Sequence, residues 1–187
     1  MQIALTRNAL LTRVLLVVFA TALLTLSAKI KVPFYPVPMT MQVAVVLLLG
    51  AAGGARFAFQ SFGAYLLAGA AGLPVFAGTP EKGIGLAYMT GPTGGYLLGF
   101  LVAAVLVGWA ADQFGRKGMV LSLPVALVAI YALGAAWLAQ FVPADKVMAY
   151  GVTPFVLGDL VKLCLAGVLA WFAPAKLTNL IRGKTDV

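Results

Sequence analysis

The stretch PFVLGDLVKLCLAG, residues 154–167, is apolar along most of its length, yet it carries Asp159 and Lys162 three positions apart. In hydrocarbon, each such charge costs about 2.5–3.5 kcal/mol on insertion scales. Residues three apart share one face of a helix. The stretch therefore reads as a membrane-crossing helix whose one polar face looks into the protein or into a wet cavity, which marks a functional site.

Working outward, 63% of the 187 residues are apolar and 10% are charged, against about 25% charged in soluble domains. Several other stretches approach the roughly 20 residues a helix needs to cross a bilayer. We expect an all-α, polytopic integral membrane protein, one transmembrane substrate-binding domain over residues 1–187. Six spans fit, at about 8–30, 39–50, 55–71, 92–111, 119–141 and 153–173. The start, Arg7 and Arg13 before an apolar run ending at Ala28, has the layout of a signal peptide. The chain beyond Ala28 is itself mostly membrane-spanning, so an uncleaved first helix is the simpler reading.

With the amino terminus inside, Arg7, Arg13, Arg56, Arg116, Lys117, Lys176, Arg182 and Lys184 fall on the inner side, and Lys29, Lys31, Lys82 and Lys146 on the outer. This excess predicts a multi-pass protein of the bacterial cytoplasmic (inner) membrane with both termini in the cytoplasm. It also accounts for the net charge of +8 as helix orientation in the lipid bilayer, so no nucleic acid partner is expected. DQFGRKG, 112–118, reads as a tight basic inner turn. GLPVFAGTPEKGIGLAYMTG, 72–91, reads as a long outer loop whose Val75, Phe76, Ile84, Leu86, Tyr88 and Met89 would be costly to leave in water. It is expected to fold back as a lid. Gly91, Gly95, Gly99 and Ala103 form a ridge without side chains that another backbone can approach.

Enzyme chemistry finds little support. The chain has no histidine and one cysteine, Cys164, in an apolar helix, so zinc motifs, the usual general base and thiol clusters are absent. Gly183-Lys184-Thr185 resembles the end of a phosphate-binding loop, but Thr178 stands where the first glycine belongs. No catalytic residue, metal site or cofactor is expected, and energy for uphill transport must come from a partner or an ion gradient.

Asp159 accepts from N–H groups and Lys162 meets an anion as a compact point charge. Together they suit a ligand with N–H donors at one end and a carboxylate at the other, and we expect them to be solvated by such a guest and not by each other. Tyr35, Phe76, Tyr88, Tyr96 and Trp171 are candidates for the aromatic lining between them. Thr40 and Gln42 come after two prolines in YPVPMTMQ, 35–42, at the outer mouth of the second span; Gln42 either lines the pocket or bonds a neighbouring helix.

FYPVPMTMQ (34–42), GLPVFAG (72–78), GPTGGYLLGF (91–100) and GDLVKLCLA (158–166) occur in the order found in the BioY family, the biotin-binding S components of energy-coupling-factor (ECF) transporters, and the chain resembles that family over nearly its whole length. The resemblance implies an ECF S-component-like fold binding biotin from outside, with Asp159 toward the ureido nitrogens and Lys162 toward the carboxylate. It implies a membrane coupling protein and two cytoplasmic ATPase subunits as partners, although some members occur without a dedicated module, and it leaves a homo-oligomer open. Where some relatives complete the site with an arginine or asparagine, this chain offers Thr79, Glu81, Lys82, Tyr88 and Thr93. The family's small residues on the first helix have their nearest counterparts in Ala20, Thr21, Thr25 and Ala28, the expected partner-docking face. Against this stand an S component for thiamin or riboflavin, a structural membrane subunit in which Asp159 and Lys162 lock helix packing, and an intramembrane lipid enzyme using Asp159 as base.

Overall fold

The computed structural model describes residues 2–32 and 39–183, with side chains at 9–31 and 39–183. Tyr35 and the basic tail at Lys184 and Thr185 lie outside the described residues. Helix α1 (Gln2–Lys29) leads to two short strands, β1 (Lys31–Val32) and β2 (Met39–Thr40), which pair antiparallel with Lys31 opposite Thr40. Helix α2 (Gln42–Ala70) comes next, then α3 (Leu86–Met89), α4 (Gly94–Leu138), α5 (Ala144–Gly151), α6 (Val156–Trp171) and α7 (Ala175–Arg182).

The second and third expected spans meet at Gly54 within α2, and the fourth and fifth at Gly115 within α4. Gly54 (φ 76°) and Gly115 (φ 62°) break these helices. Only glycine adopts such a conformation without strain, so one residue does the work expected of a loop. Contacts across each break show that the halves fold back on one another. In α2, the Gln42 amide donates to the Tyr65 hydroxyl at 2.9 Å. In α4, Gly95 packs on Leu133 and Trp137, and Gly99 on Ile130, where an added Cβ would lie 2.9 Å from the Ile130 Cα. The ridge of small residues thus seats the second half of α4, and Trp137 Nε1 closes it by donating to the Gly91 carbonyl at 2.9 Å.

Among the described residues, three helices are long and apolar enough to cross a membrane, Ala9–Lys29, Gln42–Ala70 and Gly94–Leu138, and a fourth if α5 and α6, bent by 43°, form one span. Helix α6 is inverted relative to a helix of a soluble protein. Asp159, Lys162, Ala166 and Ala170 are buried at helical spacing, while Leu157, Val161, Val168 and Phe172 are exposed. Comparable apolar exposure at Leu15, Phe19, Leu121 and Val128 fits lipid as the outer solvent.

At the hairpin end, Asp112 accepts from the Ala55 amide at 2.9 Å and pairs with Arg182 at 3.0 Å, and Arg182 also donates to the carbonyls of Ala51 and Ala52. One pair therefore caps both helix ends that Gly54 leaves open. Asp112→Ala should lower stability by about 1 kcal/mol, or about 2–4 °C in the Tm of the detergent-solubilised protein. Ligand binding at the opposite end should be unchanged; a Tm equal to wild type would show that the cap is dispensable.

Residues 72–91 run back over the other end of the bundle. Phe76 is fully buried, packing edge-on to Tyr65 and stacking on Tyr88 at 5.0 Å between ring centres. The Lys29 ammonium, at the end of α1, donates to the carbonyls of Phe76 and Thr79 at 2.7 and 2.6 Å and to the Thr79 hydroxyl at 3.0 Å. The Tyr65 hydroxyl donates to the Val75 carbonyl at 3.1 Å. Val75, Phe76 and Tyr88 are thereby buried against the helices, whereas Leu73, Ile84 and Leu86 stay exposed, contrary to the expectation for Ile84 and Leu86.

Candidate ligand-binding site

Beneath residues 72–91 lies a cavity of about 580 Å³, bounded by α2, α4, α6 and the β1–β2 ladder. Its size falls in the range of small-molecule pockets, about 300–1,000 Å³. A second cleft, at the hairpin end and lined largely by alanines, holds only about 180 Å³.

Asp159 and Lys162 lie on the wall of the larger cavity, 4% and 6% exposed. They face one another: Lys162 Nζ donates to Asp159 Oδ1 at 2.7 Å. The sequence reading had each solvated by a guest instead, and here the structure differs. Two charges this deep neutralise each other because isolation of either would carry the full desolvation penalty. The pair is nonetheless no dry seam. Tyr131, from the second half of α4, donates its hydroxyl to Asp159 Oδ2 at 2.8 Å, and the Met39 sulfur lies 3.5 Å from Lys162 Nζ. Both of these residues also line the cavity.

The structure brings together most of the other candidates. Gln42, Tyr88 and Thr93 line the same cavity, as does Tyr96. Gln42 is buried, and its bond to Tyr65 shows that it also ties the two halves of α2. The Tyr88 hydroxyl accepts from the Gly78 amide at 3.3 Å. Thr79 is buried outside the lining, its hydroxyl donating to the Phe76 carbonyl at 2.7 Å. Phe76 supports the loop from below, and Trp171 sits under the Arg116 guanidinium, away from the cavity. The docking candidates divide as well. Ala20 and Ala28 are buried within the chain, and Thr21 is half-buried with its hydroxyl bonded to the Val17 and Ser61 carbonyls. Thr25 bonds back to the Thr21 carbonyl at 2.9 Å. The open face of α1 carries Leu11, Leu15, Phe19 and Leu26 instead.

Tyr131, Met39 and Phe155 are lining residues that the sequence reading passed over. Their signal was weak, since a tyrosine or methionine in an apolar run is ordinary; only the packing of α4 and the β1–β2 ladder brings Tyr131 and Met39 to the ion pair.

A family model for BioY matches residues 2–179. The chain belongs to the BioY family. Similar proteins are the probable biotin transporter BioY of Pyrococcus horikoshii, 40% identical over 83% of this chain and 91% of that protein, and the biotin transporter BioY of Thermotoga maritima, 41% identical over 80% and 88%. The biotin transporter BioY2 of Lactococcus lactis is 32% identical over 87% and 90%. Among solved structures, the S component for biotin from an ECF-type ABC transporter superposes with a TM-score of 0.72 at 25% identity, over 87% of this chain and 90% of that one. The ridge motif at 91–100, the ladder leading into Gln42 and the buried acid–amine pair all fall within the part matched to BioY.

Proposed function

We propose that this BioY chain is the membrane-embedded biotin-binding subunit of a biotin uptake system. The observation that carries the reading is the pairing of a buried carboxylate and ammonium on the wall of a cavity large enough for a small molecule, with apolar and aromatic side chains beside them. Biotin fits that chemistry: its ureido ring offers two N–H donors and a carbonyl, its thioether ring is apolar, and its tail ends in a carboxylate. Asp159 and Lys162 bind it, with Gln42, Tyr88, Tyr96 and Thr93 around them. Thr79 acts with Lys29 to hold residues 72–91 in place as the lid.

In this reading the two hairpins, α1 and the bent α5–α6 pair make six crossings, with both termini in the cytoplasm, as the basic residues favour. The cavity then opens outward. Uptake is energised by a membrane coupling protein and two ATPases meeting the exposed face of α1, or proceeds without them; uptake by cells with and without those subunits separates the two cases.

The direct test is retention of radiolabelled biotin by the purified protein, competed by unlabelled biotin but by neither thiamin nor riboflavin. Retention of another vitamin in its place would reassign the site. Tyr131→Phe removes one hydrogen bond to a charged group, so the Kd for biotin should rise about tenfold. An unchanged Kd in this variant would mean that Asp159 is held adequately by Lys162 alone.

A further inference from the structure

The hairpin end of the bundle, away from the large cavity, carries charge that the fold leaves uncompensated. Arg13, Arg56, Arg116, Lys117, Lys176 and Arg182 gather there, and among the described residues Asp112 is the one acid at that end. Six cations against one acid leave a local net charge of +5, and Asp112 is already held by Arg182 at 3.0 Å. Arg116 stands apart from the other cations in its setting. Among the described residues its guanidinium has no hydrogen-bond or ion-pair partner, and it lies over the Trp171 ring at 5.9 Å. Stacking of this kind orients a guanidinium while leaving N–H groups free, and those groups match a phosphate through two parallel hydrogen bonds.

Arg116 also lines the small cleft at this end, together with Arg182, Thr178 and several alanines. At about 180 Å³ the cleft lies below the range of small-molecule pockets, but it suits one compact anionic group. Its surroundings indicate which anion. Trp109, Phe114, Trp171 and Phe172 are exposed around it, and exposed tryptophans at helix ends mark the headgroup level of a bilayer. Helix α7 has no buried residue, and its Leu177 and Leu180 are exposed beside Lys176, the make-up of a helix lying in the interface. Val161, Leu165, Val168 and Phe172 are exposed at helical spacing on α6, an apolar stripe that ends next to Ala173 in the cleft wall. A soluble anion would meet the charge alone, whereas a lipid also meets the stripe with its chains.

We infer that the cleft between the Gly115 turn, the end of α6 and α7 binds the phosphate headgroup of an anionic phospholipid, with Arg116 as its principal contact and an acyl chain along the α6 stripe. Basic pockets between membrane helices take such headgroups. The local excess of positive charge favours a headgroup with a net negative charge over a zwitterionic one, whose phosphate is already balanced. The bound lipid bridges the turn of α4 to α7, and its binding is independent of what the large cavity holds.

The test offers the detergent-solubilised protein an equimolar mixture of phosphatidylglycerol and phosphatidylcholine and counts the lipids it retains by native mass spectrometry. Wild type should retain phosphatidylglycerol in preference by about tenfold, the scale of hydrogen bonds to a charged group. Arg116→Gln should bring the two lipids close to parity, and Arg116→Lys, which keeps the charge but not the planar fork, should keep only part of the preference. Lys117→Gln, which removes a neighbouring exposed charge outside the cleft lining, should leave the preference intact. Excess inorganic phosphate should not displace the lipid, because it has no chain to lie along α6. Equal retention of both lipids by wild type overturns the inference. So does a loss in Lys117→Gln as large as in Arg116→Gln, which would make the attraction a diffuse surface effect, and so does displacement by inorganic phosphate, which would make the cleft a site for free anions.

Discussion

Asp159→Ala should raise the Kd for biotin at least about a hundredfold, the effect of losing hydrogen bonds to a buried charged group, and Lys162→Ala should do the same. The reason lies as much in what is left behind as in what is removed. Each single substitution strands a charge that is about 5% exposed, and breaking such a pair from one side costs about 3–5 kcal/mol. Both single variants should therefore also melt below wild type. The double variant Asp159→Ala/Lys162→Ala separates the two effects. It has no charge to strand, so its Tm should recover to above that of either single variant, while biotin binding stays lost. A packing lock predicts the reverse for binding, since a lock can be replaced without touching a ligand. Wild-type biotin affinity in both single variants would make Asp159 and Lys162 structural and remove the site.

The pair was legible before any coordinates because charge in hydrocarbon is expensive, and an exception that expensive needs a reason. The same logic found the small ridge at Gly95 and Gly99, where the chain itself reveals how closely a partner can approach. Its partner, the second half of the same helix, was beyond that logic. So was Tyr131, 28 residues before Asp159, and Met39, 123 residues before Lys162: which face of a helix turns inward depends on packing between distant segments, and an apolar run surrounded by lipid carries little amphipathic pattern to report it. The reversal at Gly115 falls inside the basic turn that 112–118 announces by its polarity, whereas Gly54 stands in the apolar stretch AAGGA, where a glycine with positive φ reverses the chain with no polar loop. On α1 the resemblance puts the docking face at Thr21 and Thr25 with Ala20 and Ala28 flanking, but small residues also let a helix sit close to its own neighbours, and both alanines are buried within the chain.

Phe76→Ala should uncouple residues 72–91 from the bundle. Its ring is fully buried between Tyr65 and Tyr88, and a Cβ on Gly69 would run into it, so the site is already filled and the loss leaves a cavity. Truncating a buried phenylalanine costs about 3–5 kcal/mol. The helices pack through their own contacts at Leu24, Val46, Ala58 and Phe62, so much of that loss should fall on the docking of the loop and not on the bundle. Binding to a protein whose competent form is only partly populated weakens by that fraction, and biotin affinity should drop about ten- to a hundredfold. Lys82, on the same segment, supplies an independent readout: trypsin should cut there faster in the variant, and added biotin should restore protection. Lys29→Met, which removes three hydrogen bonds from Phe76 and Thr79 but leaves the aromatic stack, should move both readouts in the same direction by less. Affinity and cleavage both at wild-type levels in Phe76→Ala would mean that the segment merely borders the cavity, and biotin would then have to be retained by the helices alone.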